Sequence, residues 1–215
     1  MQTHAIILYI VILFVLVGGF VWYTEVYRKS PKTVEISPEL QKIIEEQVKY
    51  NGGGAQEIES IKDDLDLYHA VFMWCLPDES NYLKALEQVM NHNPGQRAIY
   101  LVNTLDYEVC NGGFNQYFYN KGPVLALETI KSLRHLGEAK RADLLEKALQ
   151  NYRYVEEGHT AAKSAGPAEK QFEAFSKTYH DNPLDDLDSQ YYKAGDDMWG
   201  GLARYIIAHP DEFKK

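Results

Sequence analysis

"CNGGFNQYFYN", Cys110–Asn120, is the stretch on which the reading of the fold turns. Upstream of it, Ile99, Val102, Leu105 and Val109 recur at three- and four-residue steps, the spacing of one helix face. Asn111-Gly112-Gly113 follows the last apolar turn, where a left-handed helix end and a second permissive residue are needed. Phe114, Tyr117 and Phe118 then fall at i, i+3 and i+4 and predict a short second helix. Asn120 and Gly122-Pro123 close that helix and open another. The stretch therefore predicts a packed corner between helices. A phosphate-binding loop would need a Lys or Ser/Thr partner beside the glycines to neutralise charge, and none is present. The competing reading is a small cleft lined by Glu108, Asn111, Gln116, Tyr117 and Tyr119, the ground for an enzyme alternative at the NGGF corner.

Working outward, the same periodicity repeats. Ile61, Leu65, Tyr68, Val71 and Phe72 predict a helix ending at Pro77-Asp78. Tyr82, Leu83, Leu86, Val89 and Met90 predict the next, ended by Asn93-Pro94-Gly95. Further helices are expected over Pro123–Gly137, Ala139–Arg153, Glu169–His180 and Asp197–His209, with the acidic stretch Asp181–Asp197 as a connector. No segment shows the sustained alternation rich in Val, Ile and Thr that a sheet needs. The fold class expected is all-α, a multi-helix globular domain behind one N-terminal transmembrane helix.

That span is Ala5–Tyr23, "AIILYIVILFVLVGGFVWY", without a charged residue. At 1.5 Å per residue it reaches roughly 28 Å, close to the ~30 Å apolar thickness of a bilayer. A cleaved signal peptide competes for these residues. Met1–His4 carries no Lys or Arg, which favours an anchor that stays attached. Arg28, Lys29 and Lys32 follow the span and place the C-terminal domain on the cytoplasmic side of the inner membrane, single-pass. The expected organisation is an anchor and basic flank (1–30), a linker and short helix (31–55), and the helical domain (56–215).

The chain carries 31 Asp and Glu against 22 Lys and Arg, a net charge of −9. Such a balance excludes direct nucleic-acid binding through a general field. Walker, dinucleotide-binding, nucleophile-elbow, zincin and EF-hand motifs are all missing. The seven histidines do not pair at metal-ligand spacing, so no metal and no cofactor are expected. Cys75 and Cys110 stand in no ligand-like spacing and are expected as two buried reduced thiols.

Glu108, Asn111, Gly112, Gly113, Phe114, Gln116, Tyr117, Phe118 and Asn120 fit the pattern E-x-x-N-G-G-F-x-Q-Y-F-x-N. Through it the chain resembles a bacterial helical family named after a DNA-mimic protein, whose C-terminal domain was long described as of unknown function. A second shared feature is an acidic stretch ending in tyrosines before the last helix, here "PLDDLDSQYYKAGDDMWGGLARYIIAHPDEF". The resemblance covers about Ile58–Phe213. It implies an all-α scaffold to which these motif residues contribute structurally. It also implies an acidic dimer that occupies the DNA-binding surface of another protein, hence a homodimer and a basic partner for this chain.

Duplex DNA carries a charge about every 1.7 Å. One helix with carboxylates three or four residues apart offers one only every ~5 Å. Mimicry would need several segments, and the candidates are Glu57, Glu59, Asp63, Asp64 and Asp66 together with Asp185, Asp186, Asp188, Asp196 and Asp197. Asp185, Asp186 and Asp188 are expected to face water while Tyr191-Tyr192 anchors their segment. Asp196 and Asp197 are expected to open the last helix. The function expected is a membrane-tethered acidic interaction module that sequesters a basic or DNA-binding protein. An immunity-type inhibitor of a toxin and the NGGF-corner enzyme are the alternatives.

Overall fold

Asn93 and Pro94 show how local sequence sets the main element. The Asn93 side chain accepts the Gln96 N–H at 3.0 Å, and Pro94 takes the first helical position, where no N–H is needed. The helix so started, α3, runs Pro94–His135 and is the element on which most of the described helices pack. The computed structural model describes residues 58–78, 81–194 and 198–213, all within one compact unit. The Ala5–Tyr23 span, the linker and short helix of 31–55, Glu57, Asp196 and Asp197 lie outside the described residues. Among the described residues there is no strand, and no helix is long and apolar enough to cross a membrane.

Before α3 come α1 (Asp64–Trp74) and α2 (Tyr82–Asn91). After it come α4 (Ala139–Asn151), α5 (Glu156–Lys163), α6 (Ala168–Ser176), α7 (Asp185–Tyr192) and α8 (Met198–Ala208). Short 3-10 turns occupy Tyr152–Tyr154, Lys177–Tyr179 and Pro210–Phe213. α3 touches α1, α2, α4, α7 and the last 3-10 turn, and its most extensive partner is α4. Gly137, at φ 82°, makes the hairpin between them. The Glu138 N–H closes onto the Leu133 carbonyl at 2.8 Å. Arg134 clamps the hairpin from outside through Asp143 (3.0 Å) and Glu146 (2.9 Å). α1 packs on α8, where the Tyr68 and Trp199 rings lie 4.5 Å apart.

The core is the periodic set: Ile99, Val102, Leu105 and Val109 of α3 are buried with Leu133, Leu145, Leu202 and Ile206. The corner lies where the sequence places it: within Pro94–His135 the chain leaves helical geometry at Gly112, Gly113 and Gly122, so α3 is a run of helices joined across kinks. One sequence expectation changes: the acidic connector is not a loop, since its middle forms α7. Leu184, Leu187, Asp188 and Tyr191 are buried at i, i+3, i+4 and i+7, a helical face that the intervening charges obscured.

Candidate functional site

The break in α3 is the organising feature. Gly113 sits at φ 72°, ψ −176°, a region essentially reserved for glycine. Leaving the helical path there ends one hydrogen-bond ladder and starts another. Carbonyls before the break and N–H groups after it lose their intrahelical partners. Side chains from the segment 177–192 supply replacements. The Tyr192 hydroxyl donates to the Val109 carbonyl at 2.7 Å, and the Tyr179 hydroxyl donates to the Gly112 carbonyl at 2.9 Å. The Phe114 N–H donates to Asp188 Oδ1 at 2.7 Å. Asp188 thus serves the second ladder as an N-cap brought from 74 residues away.

This corrects the expectation for Asp188. Its carboxylate does not face water but is buried, with Oδ2 in the space a Gly113 Cβ would need, 2.1 Å away. Burial pushes Asp188 up to about 6, against the pull of the Phe114 N–H and with a contribution from the charge on Asp185. Asp185 and Asp186 do face solvent. Tyr191 is buried and meets the Phe114 ring edge-on at 5.5 Å, while half of Tyr192 stays exposed.

The motif residues divide by task. Glu108 is buried and holds the two sides of the break together. Its Oε2 accepts from Gln116 Nε2 at 2.9 Å and from Asn120 Nδ2 at 2.7 Å, and its Oε1 pairs with Lys121 at 3.3 Å. Phe114, Tyr117 and Phe118 are fully buried. The Thr129 hydroxyl gives its proton to the Leu125 carbonyl, so the buried Tyr117 hydroxyl is the donor to Thr129 at 2.9 Å. Asn111 is exposed. Of the polar groups that a cleft at the corner would use, Glu108, Gln116 and Tyr117 are engaged in these hydrogen bonds. Tyr119 is stacked on Phe175 at 4.1 Å.

Beside the break lies a second polar group that the sequence did not announce. The Tyr191 hydroxyl reaches Asp106 Oδ1 at 3.4 Å, and Asp106 is raised by burial against the opposing pull of Arg141. The Arg141 guanidinium, buried, bonds Glu138 at 2.7 Å and lies over the Tyr191 ring. Cys110 is exposed, contrary to the expectation of two buried thiols, and its Sγ–H points at Asp106 Oδ2 at 3.8 Å. Partial burial and the neighbouring Asp106 push the Cys110 thiol up to about 12, the opposite of an activated nucleophile. Cys75 is buried, and neither cysteine is in a disulfide.

Asn115 is also buried and ties α3 to α5. His159 Nε2 donates to Asn115 Oδ1 at 2.6 Å, and Asn115 Nδ2 donates to Thr178 Oγ1 at 2.8 Å. Burial, with the charge of Lys163, holds His159 down at about 4, so this histidine stays neutral.

The remaining acidic candidates sit elsewhere. Asp63 caps α1, accepting from the Leu65 and Asp66 N–H groups at 3.0 Å each, and Asp64 and Asp66 are exposed in its first turn. Negative charge there is favoured by the helix dipole. α1 packs on α3 and α8, whereas α7 packs on α3 and α4, so the two acidic groups share α3 and differ in their second neighbour. Asp196 and Asp197 precede α8 outside the described residues. Among the described residues no group of three or more His, Cys, Asp or Glu is arranged to hold a metal.

A family model described as DMP19-like protein matches residues 90–209. The match is shorter at both ends than the Ile58–Phe213 resemblance, and it leaves out Asp63, Asp64 and Asp66 while including the break and α7. No curated protein and no solved structure matches the chain. The matched segment is more than half of the 215 residues and contains both the interrupted helix and the side chains that cap it: the chain belongs to the DMP19-like protein family.

Proposed function

We propose that this protein is an acidic protein-interaction module, tethered to the cytoplasmic membrane by Ala5–Tyr23, that receives a basic, DNA-binding partner along α7. The observation that carries the reading is the exposure of Asp181, Asp185 and Asp186 on a stretch, Thr178–Tyr192, that contains no Lys or Arg. Family membership supports a role in which carboxylates stand where phosphates would. The scaffold supports it as well, because the break in α3 holds the segment 177–192 through three side-chain bonds, two of them from α7, and so presents Asp185 and Asp186 at a set position. A rigid acidic edge loses less entropy on binding than a floppy one.

The test starts from membranes of cells expressing the full-length chain. A basic protein should be recovered with it in stoichiometric amount. Its affinity should fall severalfold in the double variant Asp185→Asn/Asp186→Asn at low salt, each exposed charge being worth about 0.2–1 kcal/mol. The loss should shrink as salt rises, while the thermal midpoint stays put. An affinity unchanged at every salt concentration would remove α7 from the interface. Recovery of the chain in the soluble fraction would remove the tether.

A further inference from the structure

We infer that Asp188 is a proton-linked latch: it fastens the acidic segment 177–192 to the break in α3, and the latch closes more firmly with a proton on its carboxyl than without. The inference rests on placement. The carboxyl is buried in the space left by Gly113, with one oxygen on the Phe114 N–H at 2.7 Å and the other where a Cβ would stand.

The groups around it supply no counter-charge. On its own helix Asp185 adds a like charge, and Tyr192 is spent on the Val109 carbonyl. The 3-10 turn brings Tyr179, spent on the Gly112 carbonyl. α3 brings the Phe114 N–H, while its Glu108 is engaged with Gln116, Asn120 and Lys121. From α4, Arg141 is held on Glu138 and over the Tyr191 ring. An ionised carboxylate in that setting lacks the cation that offsets the loss of water.

The direction follows from proton linkage. Burial raises the carboxyl to about 6 from an ordinary 3.8, so the closed state binds more protons than the opened one between those values. Closing is therefore strongest at the acidic side of that window and weakens as pH rises through it. Beyond the upper end the cost is constant. The latch is a property of the fold and stands apart from whether α7 binds a partner. Its product is a physical one: mild acidification removes one negative charge from this segment and locks it down in the same step.

Hydrogen exchange at the Phe114 amide reads the latch directly, because that N–H is freed only when Asp188 lets go. The full-length chain is exchanged at about pH 5 and about pH 7.5, with rates divided by the intrinsic chemical rate at each pH. Protection at the lower pH should exceed that at the higher by about tenfold, the ratio expected when a carboxyl of pKa about 6 opens to one of 3.8. Asp188→Asn keeps an acceptor for Phe114 without a charge, and it should give high protection at both values. Asp185→Asn, which leaves the latch itself intact, should move the transition to lower pH, and it carries the test if the first variant fails to fold. Equal protection of the native chain at both values overturns the latch. So does a pH dependence that survives Asp188→Asn, or one that Asp185→Asn leaves in place.

Discussion

At Gly113 an added Cβ would fall 2.1 Å from Asp188 Oδ2, whereas at Gly122 it would meet nothing within 4 Å. The backbones are close to identical, φ 72° and ψ −176° against φ 78° and ψ 166°. Both positions interrupt α3, and both need glycine for conformation alone. They differ in what the chain has built around them. The first break is walled by Asp188, Tyr179 and Tyr192 and followed by a buried aromatic run. The second is followed by Pro123, which lacks an N–H and favours an extended residue before it. One interruption is held by tertiary structure, the other by local covalent geometry. A helix can thus be broken cheaply by sequence, while fixing the break in place takes partners from elsewhere.

The sharpest way to break this contrast is Phe114→Ala. The ring is fully buried beside the first break and edge-on to Tyr191. Truncation should cost about 3–5 kcal/mol in a denaturant titration. An unchanged midpoint would mean that the walled break is not part of the stable core, and the contrast with Gly122 would collapse.

How much of this was legible in the sequence follows the same divide. The helices of the core were legible because Ile99, Val102, Leu105 and Val109 repeat the helical period, and so were Gly112-Gly113 and Gly122-Pro123 as points of interruption. What closes the first break was not. Asp188 reaches Phe114 across 74 residues, and three aspartates in four positions read as a solvated face. The Glu108 network was hidden for a geometric reason. At about 100° per residue, Gln116 and Asn120 would lie about 80° and 120° around an unbroken helix from Glu108. Only the interruption brings them onto one carboxylate. Cys110 was misplaced by a single step: Val109 beside it is fully buried, and one residue further the helix has turned outward. The acidic candidates before α8, and the apolar span at 5–23, remain as sequence expectations.

Gly113→Ala should come next in size, at roughly 2–4 kcal/mol. About 1–3 of this is the backbone strain of a non-glycine residue in that region. About 1 more comes from displacing a carboxylate that has somewhere to go. A double-mutant cycle separates the two parts. In an Asp188→Ala background the obstructing oxygen is gone, and the cost of Gly113→Ala should drop to the strain alone. A cost that is the same in both backgrounds would show that Asp188 does not fill the space, and that the two breaks differ less than their surroundings suggest.

The smallest effect is expected at Gly122→Ala, and it is the one that calibrates the rest. Nothing stands within 4 Å of the added methyl, so packing contributes neither a penalty nor a gain. Strain at positive φ remains, with a range of about 1–3 kcal/mol. Gly122 is half-buried rather than walled in, and Val124 just beyond it is mostly exposed, so the backbone can give. Ala also has fewer unfolded conformations than Gly to lose, which returns about 0.4–1 kcal/mol. The net cost should therefore be about 1 kcal/mol, the same in the native and Asp188→Ala backgrounds, since no contact links the two positions. If Gly122→Ala instead matched Gly113→Ala and shared its dependence on Asp188, the interruptions would form one coupled unit. The distinction between a break held by partners and a break held by its own sequence would then fail. If Gly122→Ala cost nothing at all, the residue would have moved to negative φ, which the chain allows only where no neighbour holds the path of α3.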